Sequence, residues 1–153
     1  MRLIGTTFVT FALVFVVGCA ETREDSFASM STPEAQSMVS RGWIPAVLPS
    51  TATDVCIRSN IDTSMVRGRA RVPASEIGRL RAALHPLADE VAPRFWPKGS
   101  VTPRWWPADL LPPGRTAELR SRGLEVFAVP DRVTTYMAHR PSEEWVYFWS
   151  ESS

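Results

Sequence analysis

Two cysteines, two histidines and a single lysine are all this chain of 153 residues holds of three residue types that carry much of protein chemistry. Two cysteines are too few for a disulfide-stapled scaffold or a thiolate zinc cluster. The histidines, His85 and His139, are far apart in sequence, which argues against a histidine-rich metal site, and no metal is expected. Nucleophile elbows, two-histidine helical metal motifs, phosphate-binding glycine loops and paired cysteine spacings are all missing, and no cofactor is expected. Charge of one sign is missing too. Lys+Arg 17 against Asp+Glu 16 leaves +1, without the electrostatic footprint that nucleic acid requires. No apolar run reaches the ~20 residues of a bilayer-spanning helix.

What is there is ordinary in amount and unusual in kind. Hydrophobic residues at 44% and charged residues at 22% fit one globular domain. Thirteen prolines and six tryptophans exceed average usage.

The N-terminus is an address. Arg2 supplies a short positive region, and Phe8 to Val17 is mostly apolar, the length of a signal-peptide core. It ends in Val16-Val17-Gly18-Cys19. This resembles the lipobox of bacterial lipoproteins. The resemblance implies cleavage before Cys19, lipidation of that residue and anchoring by several acyl chains, each buried methylene contributing about 0.8 kcal/mol. The partner it implies is a membrane, reached through palmitate-type acylation. Ala20, rather than Asp, follows the cysteine, which by the sorting rule of enteric bacteria resembles an outer-membrane lipoprotein facing the periplasm. The division that follows is 1–18 signal peptide, 19–31 lipidated cysteine and flexible tether, and 32–153 a single domain. The tether is assigned because Ala20 to Ser31 is small, polar and aperiodic. Cys56 is then the remaining thiol, read as a buried small hydrophobe with intermolecular pairing as its other use.

The domain reads as α+β, an antiparallel sheet of about five strands with helices packed on one side. Thr32 and Pro33 open a helix over 33–41 that Gly42 closes. Runs 54–61 and 64–72 alternate around a turn at Asp62-Thr63. Val55, Ile57 and Ile61 share one face, and matching apolar faces places Ile57 opposite Gly68. Ile77, Leu80, Leu84 and Leu87 mark one face of a helix predicted over 74–85, which Pro86 ends and His85 caps. Residues 93–113 hold six prolines and three tryptophans and read as a long loop with one helical turn near 108–111. A short helix over 114–122, a strand over 124–129 and a hairpin of 133–139 with 144–150 complete the order. Gly42-Trp43-Ile44-Pro45, Leu48-Pro49, Ala52-Thr53-Asp54-Val55 and Asn60-Ile61-Asp62-Thr63 together resemble a recurrent stretch of small exported bacterial proteins. That resemblance implies no activity.

Two constellations carry the functional candidates. Arg67, Arg69 and Arg71 recur at period two, so they share one side of a strand. They form an anion grip or a solvated face neutralised by acids such as Asp54. Trp145, Tyr147 and Trp149 form a stripe facing Tyr136 and Ala138, while Val146 and Phe148 face the other way with Met137. A strand apolar on both faces is either covered twice, with the 93–113 loop as the second cover, or open to a partner. The candidate partner-binding set is Trp96, Trp105, Trp106, Tyr136, Trp145, Tyr147 and Trp149. The expectation is a lipid-anchored envelope protein that binds an envelope protein or glycan through this aromatic surface. A small envelope enzyme using His139 or His85 with a carboxylate, and an accessory lipoprotein without a discrete ligand, are the alternatives.

Overall fold

The structure is a computed structural model, and it describes residues 22–93, 102–110, 115–130 and 135–150. The lipobox with Cys19, and Trp96, lie outside the described residues.

Among the described residues the chain forms seven strands: β1 (Thr22–Ser29), β2 (Thr53–Asn60), β3 (Met65–Arg71), β4 (His85–Pro86), β5 (Glu125–Ala128), β6 (Thr135–His139) and β7 (Trp145–Ser150). They make one antiparallel sheet in the order β1-β2-β3-β7-β6-β5-β4. Three helices accompany it: α1 (Pro33–Ser40), α2 (Ala74–Ala82) and α3 (Thr116–Ser121). A 3-10 turn covers Ala108–Leu110.

Local chemistry explains the elements that match expectation. Thr32 Oγ1 accepts from the Ala35 amide at 3.3 Å, Pro33 opens α1, and Gly42 leaves it at φ 83. The register of β2 on β3 sets Ile57 against Gly68. Asn60 Oδ1 accepts from both the Thr63 amide and its hydroxyl at 2.9 Å, which closes the turn. Ile61 leaves the apolar face here: it lies in the turn and is 50% exposed.

The assigned tether is the largest correction. Thr22–Ser29 is an edge strand in register with β2 from Thr22↔Asn60 to Ser29↔Thr53. Its backbone groups satisfy the open edge of β2, an attraction that needs no apolar pattern. Met30 then turns into the core at 1% exposure. The strand count rises from five to seven through this strand and the two-residue β4.

The sheet is covered on both faces because alternate residues serve separate cores. Val55, Ile57, Val66, Ala70, Met137, Val146 and Phe148 face the first core, with Met38 and Val39 of α1 and Ile77 and Leu80 of α2 packed over them. Val126, Ala138, Tyr147 and Trp149 face the second, with Leu119 of α3 and the loop residues Trp106 and Leu110. The helices therefore do not share one side; α3 lies opposite α1 and α2. Helix α2 also stops at Ala82, short of His85, because Leu84 drops into the first core and His85 pairs with Ala128. Leu87 continues into the second core, so the predicted face of Ile77, Leu80, Leu84 and Leu87 is split between the two sides.

Candidate functional site

The second face carries both constellations. Antiparallel pairing sets Arg67 against Trp149, Arg69 against Tyr147 and Arg71 against Trp145. Residues 102–110 lie over these pairs. The Trp106 ring packs edge-on to Tyr147 at 5.9 Å and to Trp149 at 6.1 Å between centroids. Trp105 Nε1 donates to Glu24 Oε1 at 2.9 Å, tying the loop to the edge strand. At its other end Arg140 bridges Asp109 and Glu143, and those carboxylates raise its pKa, the Glu143 hydrogen bond most.

The three arginines occupy three environments. Arg67 is buried beneath the Trp106 ring, 5.5 Å from its centroid, and donates to Thr102 Oγ1 at 3.2 Å. Burial first and the nearby Arg58 cation second push its pKa down to about 10. Arg71 is exposed and pairs with Glu144 at 2.7 Å. Arg69 lies between two indoles, 4.4 Å from the Trp145 centroid and 5.4 Å from that of Trp105. Its side chain makes no hydrogen bond or ion pair among the described residues, and its Nε is buried without a partner.

Arg69 and Trp145 form one wall of a cavity of about 450 Å³ whose other lining includes Ser26, Phe27, Asp54 and Cys56. Cys56 is thus half-buried at a groove rather than in the core, with Ser26 Oγ 3.5 Å from its sulfur. Ser26 was invisible as a candidate because its segment carries no hydrophobic alternation. A stacked guanidinium keeps its in-plane donors available. The groove therefore offers a planar cation, an aromatic face, a hydroxyl and a thiol to one ligand, with the Asp54 carboxylate also on its lining.

The aromatic set divides. Trp106, Tyr147 and Trp149 are core residues at 8% exposure or less, with the loop as their cover. Burial raises the Tyr147 phenol's pKa above its ordinary value, and the Glu143 carboxylate adds to the rise. Trp105, Trp145 and Tyr136 are half-buried at its margin. The structure brings Arg69, Trp105 and Trp145 together; it leaves Arg71 outside the group and seals Arg67 below it.

Neither histidine lines this groove. His85 is exposed on β4. His139 is buried; its Nε2 donates to the Glu143 carbonyl at 2.9 Å, and Nδ1 lies 3.9 Å from Glu125 Oε2. It borders a cavity of about 220 Å³ shared with Ser142, Glu143 and Glu144. Nε2 is thus occupied by a carbonyl, and the buried Nδ1 faces Glu125.

The architecture is a two-faced antiparallel α+β domain with an arginine–tryptophan groove on one face. Residues 21–69, about a third of the chain, match the family model of the YbbD head domain. The match spans β1, α1, β2 and most of β3, and it includes the 42–63 stretch that resembles small exported bacterial proteins. No curated protein and no solved structure matches the chain. Among the described residues no helix is long and apolar enough to cross a membrane.

Proposed function

We propose that the chain is a lipid-anchored protein of the bacterial envelope whose domain works by binding, and that its ligand is an anionic envelope glycan held in the Arg69–Trp145 groove. The carrying observation is Arg69, a guanidinium stacked between two indoles with no carboxylate partner among the described residues. Carboxylates and phosphates match the guanidinium fork, and a sugar ring suits the flat indole beside it. The signal-like segment ending in Cys19 and the match to the YbbD head domain support an exported, anchored protein.

The test is a titration of the folded domain with acidic and neutral oligosaccharides, followed by tryptophan fluorescence and amide shifts. Acidic ligands are expected to perturb Trp145 and the amides around Cys56 and Arg69. Arg69→Gln is expected to weaken binding at least tenfold, a loss typical of one charge-assisted contact, while Arg71→Gln leaves it unchanged. Equal response to neutral and acidic sugars, or equal affinity in Arg69→Gln, overturns the reading.

A further inference from the structure

We infer that the end of the sheet formed by Thr22 and the β2–β3 turn rests against the lipid surface, with Ile61 seated in the interfacial layer. The inference depends on lipidation of Cys19, proposed above, and adds to it an orientation and a contact residue.

Most of the expected tether is strand β1. Strand β1 begins at Thr22, three residues after Cys19. Extended chain covers at most about 3.5 Å per residue, so the sheet begins within about 11 Å of the anchored residue. Thr22 is paired with Asn60, and Ile61 is the next residue of the chain. The anchor point and the turn are therefore neighbours at one end of the sheet.

Ile61 is the large hydrophobic side chain that the described residues leave exposed. A lone exposed isoleucine is unremarkable on most surfaces. Here it lies at the place that an acyl anchor would hold to a bilayer. The turn that presents it is built, since Asn60 Oδ1 takes two hydrogen bonds from Thr63. Asp62 follows it, and a carboxylate there limits entry to the headgroup level. The cations at this end are already matched: Arg23 pairs with Asp25 at 2.7 Å, and Arg58 lies 3.7 Å from Glu24. The contact is accordingly apolar and indifferent to lipid charge.

This orientation also places the groove. Cys56 is four residues from Asn60 along β2, about 13 Å at the rise of a strand. The rest of the groove, at Asp54 and Trp145, lies farther still from the turn. Its opening is then held away from the anchoring membrane, which favours a ligand from the aqueous side over a headgroup of the same bilayer.

The experiment uses the full chain, purified as the membrane-borne protein and returned to phosphatidylcholine vesicles with and without phosphatidylglycerol. An environment-sensitive fluorophore is placed at Ile61→Cys or, at the opposite end of the sheet, at Ser142→Cys, both with Cys56→Ser. Intact mass establishes acylation of Cys19 in each preparation. A blue-shifted emission quenched by brominated lipid at position 61, its absence at 142, and the same result in both vesicle types is the expected outcome. Hydrogen exchange of the unlabelled, acylated chain should show slowed amides at 61–64 on vesicles. Acylated protein whose label at 61 behaves like that at 142, with unchanged exchange at the turn, overturns the orientation while leaving the anchor intact. An unacylated Cys19 overturns both.

Discussion

Glu24, on the edge strand, accepts a hydrogen bond at 2.9 Å from the indole of Trp105, 81 residues further along the chain. Glu24 also lies 3.7 Å from Arg58 and the Trp105 ring stacks on Arg69, so the bond closes a strap across the basic part of the sheet. It joins the N-terminal strand to a loop that is otherwise held from the far side by Arg140 and Asp109.

Glu24→Ala should release one end of that strap. A hydrogen bond to a charged acceptor at the surface contributes about 1 kcal/mol, and the urea midpoint should fall accordingly. Amides of 102–110 should exchange faster, whereas those of α1 and α2, on the opposite face, should not change. Uniform acceleration across both faces would show that the bond is a general stabiliser and not a local latch.

Removing residues 20–31 distinguishes a strand from a tether. A tether can be lost without consequence to folding. Loss of β1 uncovers the edge of β2, breaks the Trp105 latch and removes Met30 from the first core. Emptying a buried methionine site alone costs about 2–5 kcal/mol. Denaturant unfolding should therefore show a loss of at least that size, or no folded population.

Gly68 has Phe148 as its cross-strand neighbour, and a Cβ at 68 would overlap the Phe148 ring. Gly68→Ala should cost about 2–3 kcal/mol through overpacking. Adding Phe148→Leu should recover part of that loss, because the ring is the obstacle. A double variant as unstable as the sum of the two single ones would remove this explanation.

Burial of Arg67 has a sign at alkaline pH. Its folded pKa is pushed down to about 10, well below the ordinary guanidinium value that the unfolded chain keeps. Between those values the unfolded chain binds more protons than the folded one, so this residue's contribution to stability rises with pH. The stability of the native chain relative to Arg67→Met should be flat below pH 10. It should then climb by at most about 1.4 kcal/mol per pH unit. Tyr147 works the other way, since burial raises its phenol's pKa and its stabilisation is lost as pH climbs above 10. That contribution is common to both proteins and cancels in the comparison. A difference that falls above pH 10 would reverse the assignment.

The sequence revealed most where side chains have two-residue periodicity and something to bury. Ile57 had to face Gly68, because a slip by one residue would have turned arginines into the first core. The stripe of Trp145, Tyr147 and Trp149 called for a cover on its own side or a partner, and of the two it is the proline-rich loop that covers Tyr147 and Trp149. Strand β1 was hidden because its fit to the sheet rests on backbone pairing: only Phe27 of its residues packs on a core. The end of α2 was misplaced because Pro86 forbids helix only just before itself, while the burial of Leu84 and the pairing of His85 act earlier. Which face a helix covers is a tertiary choice, and nothing in 116–121 distinguishes the side α3 took. At the candidate site, period two placed Arg67, Arg69 and Arg71 together. It could not assign one to a sealed core, one to a groove and one to an ion pair with Glu144, since a distant loop makes that difference.

Among the described residues, strand β7 is the last strand by chain order and the middle one by position, with three strands on either side. It pairs with β3 on one edge and β6 on the other, so it alone joins β1–β3 to β4–β6. A chain that emerges N-terminus first can complete the β1–β2–β3 part early, but the two halves stay unjoined until Trp145–Ser150 arrives. Folding of the whole domain is therefore deferred until that strand has emerged, with exposed strand edges until then. Removing these six residues would divide the sheet at its centre instead of trimming its edge.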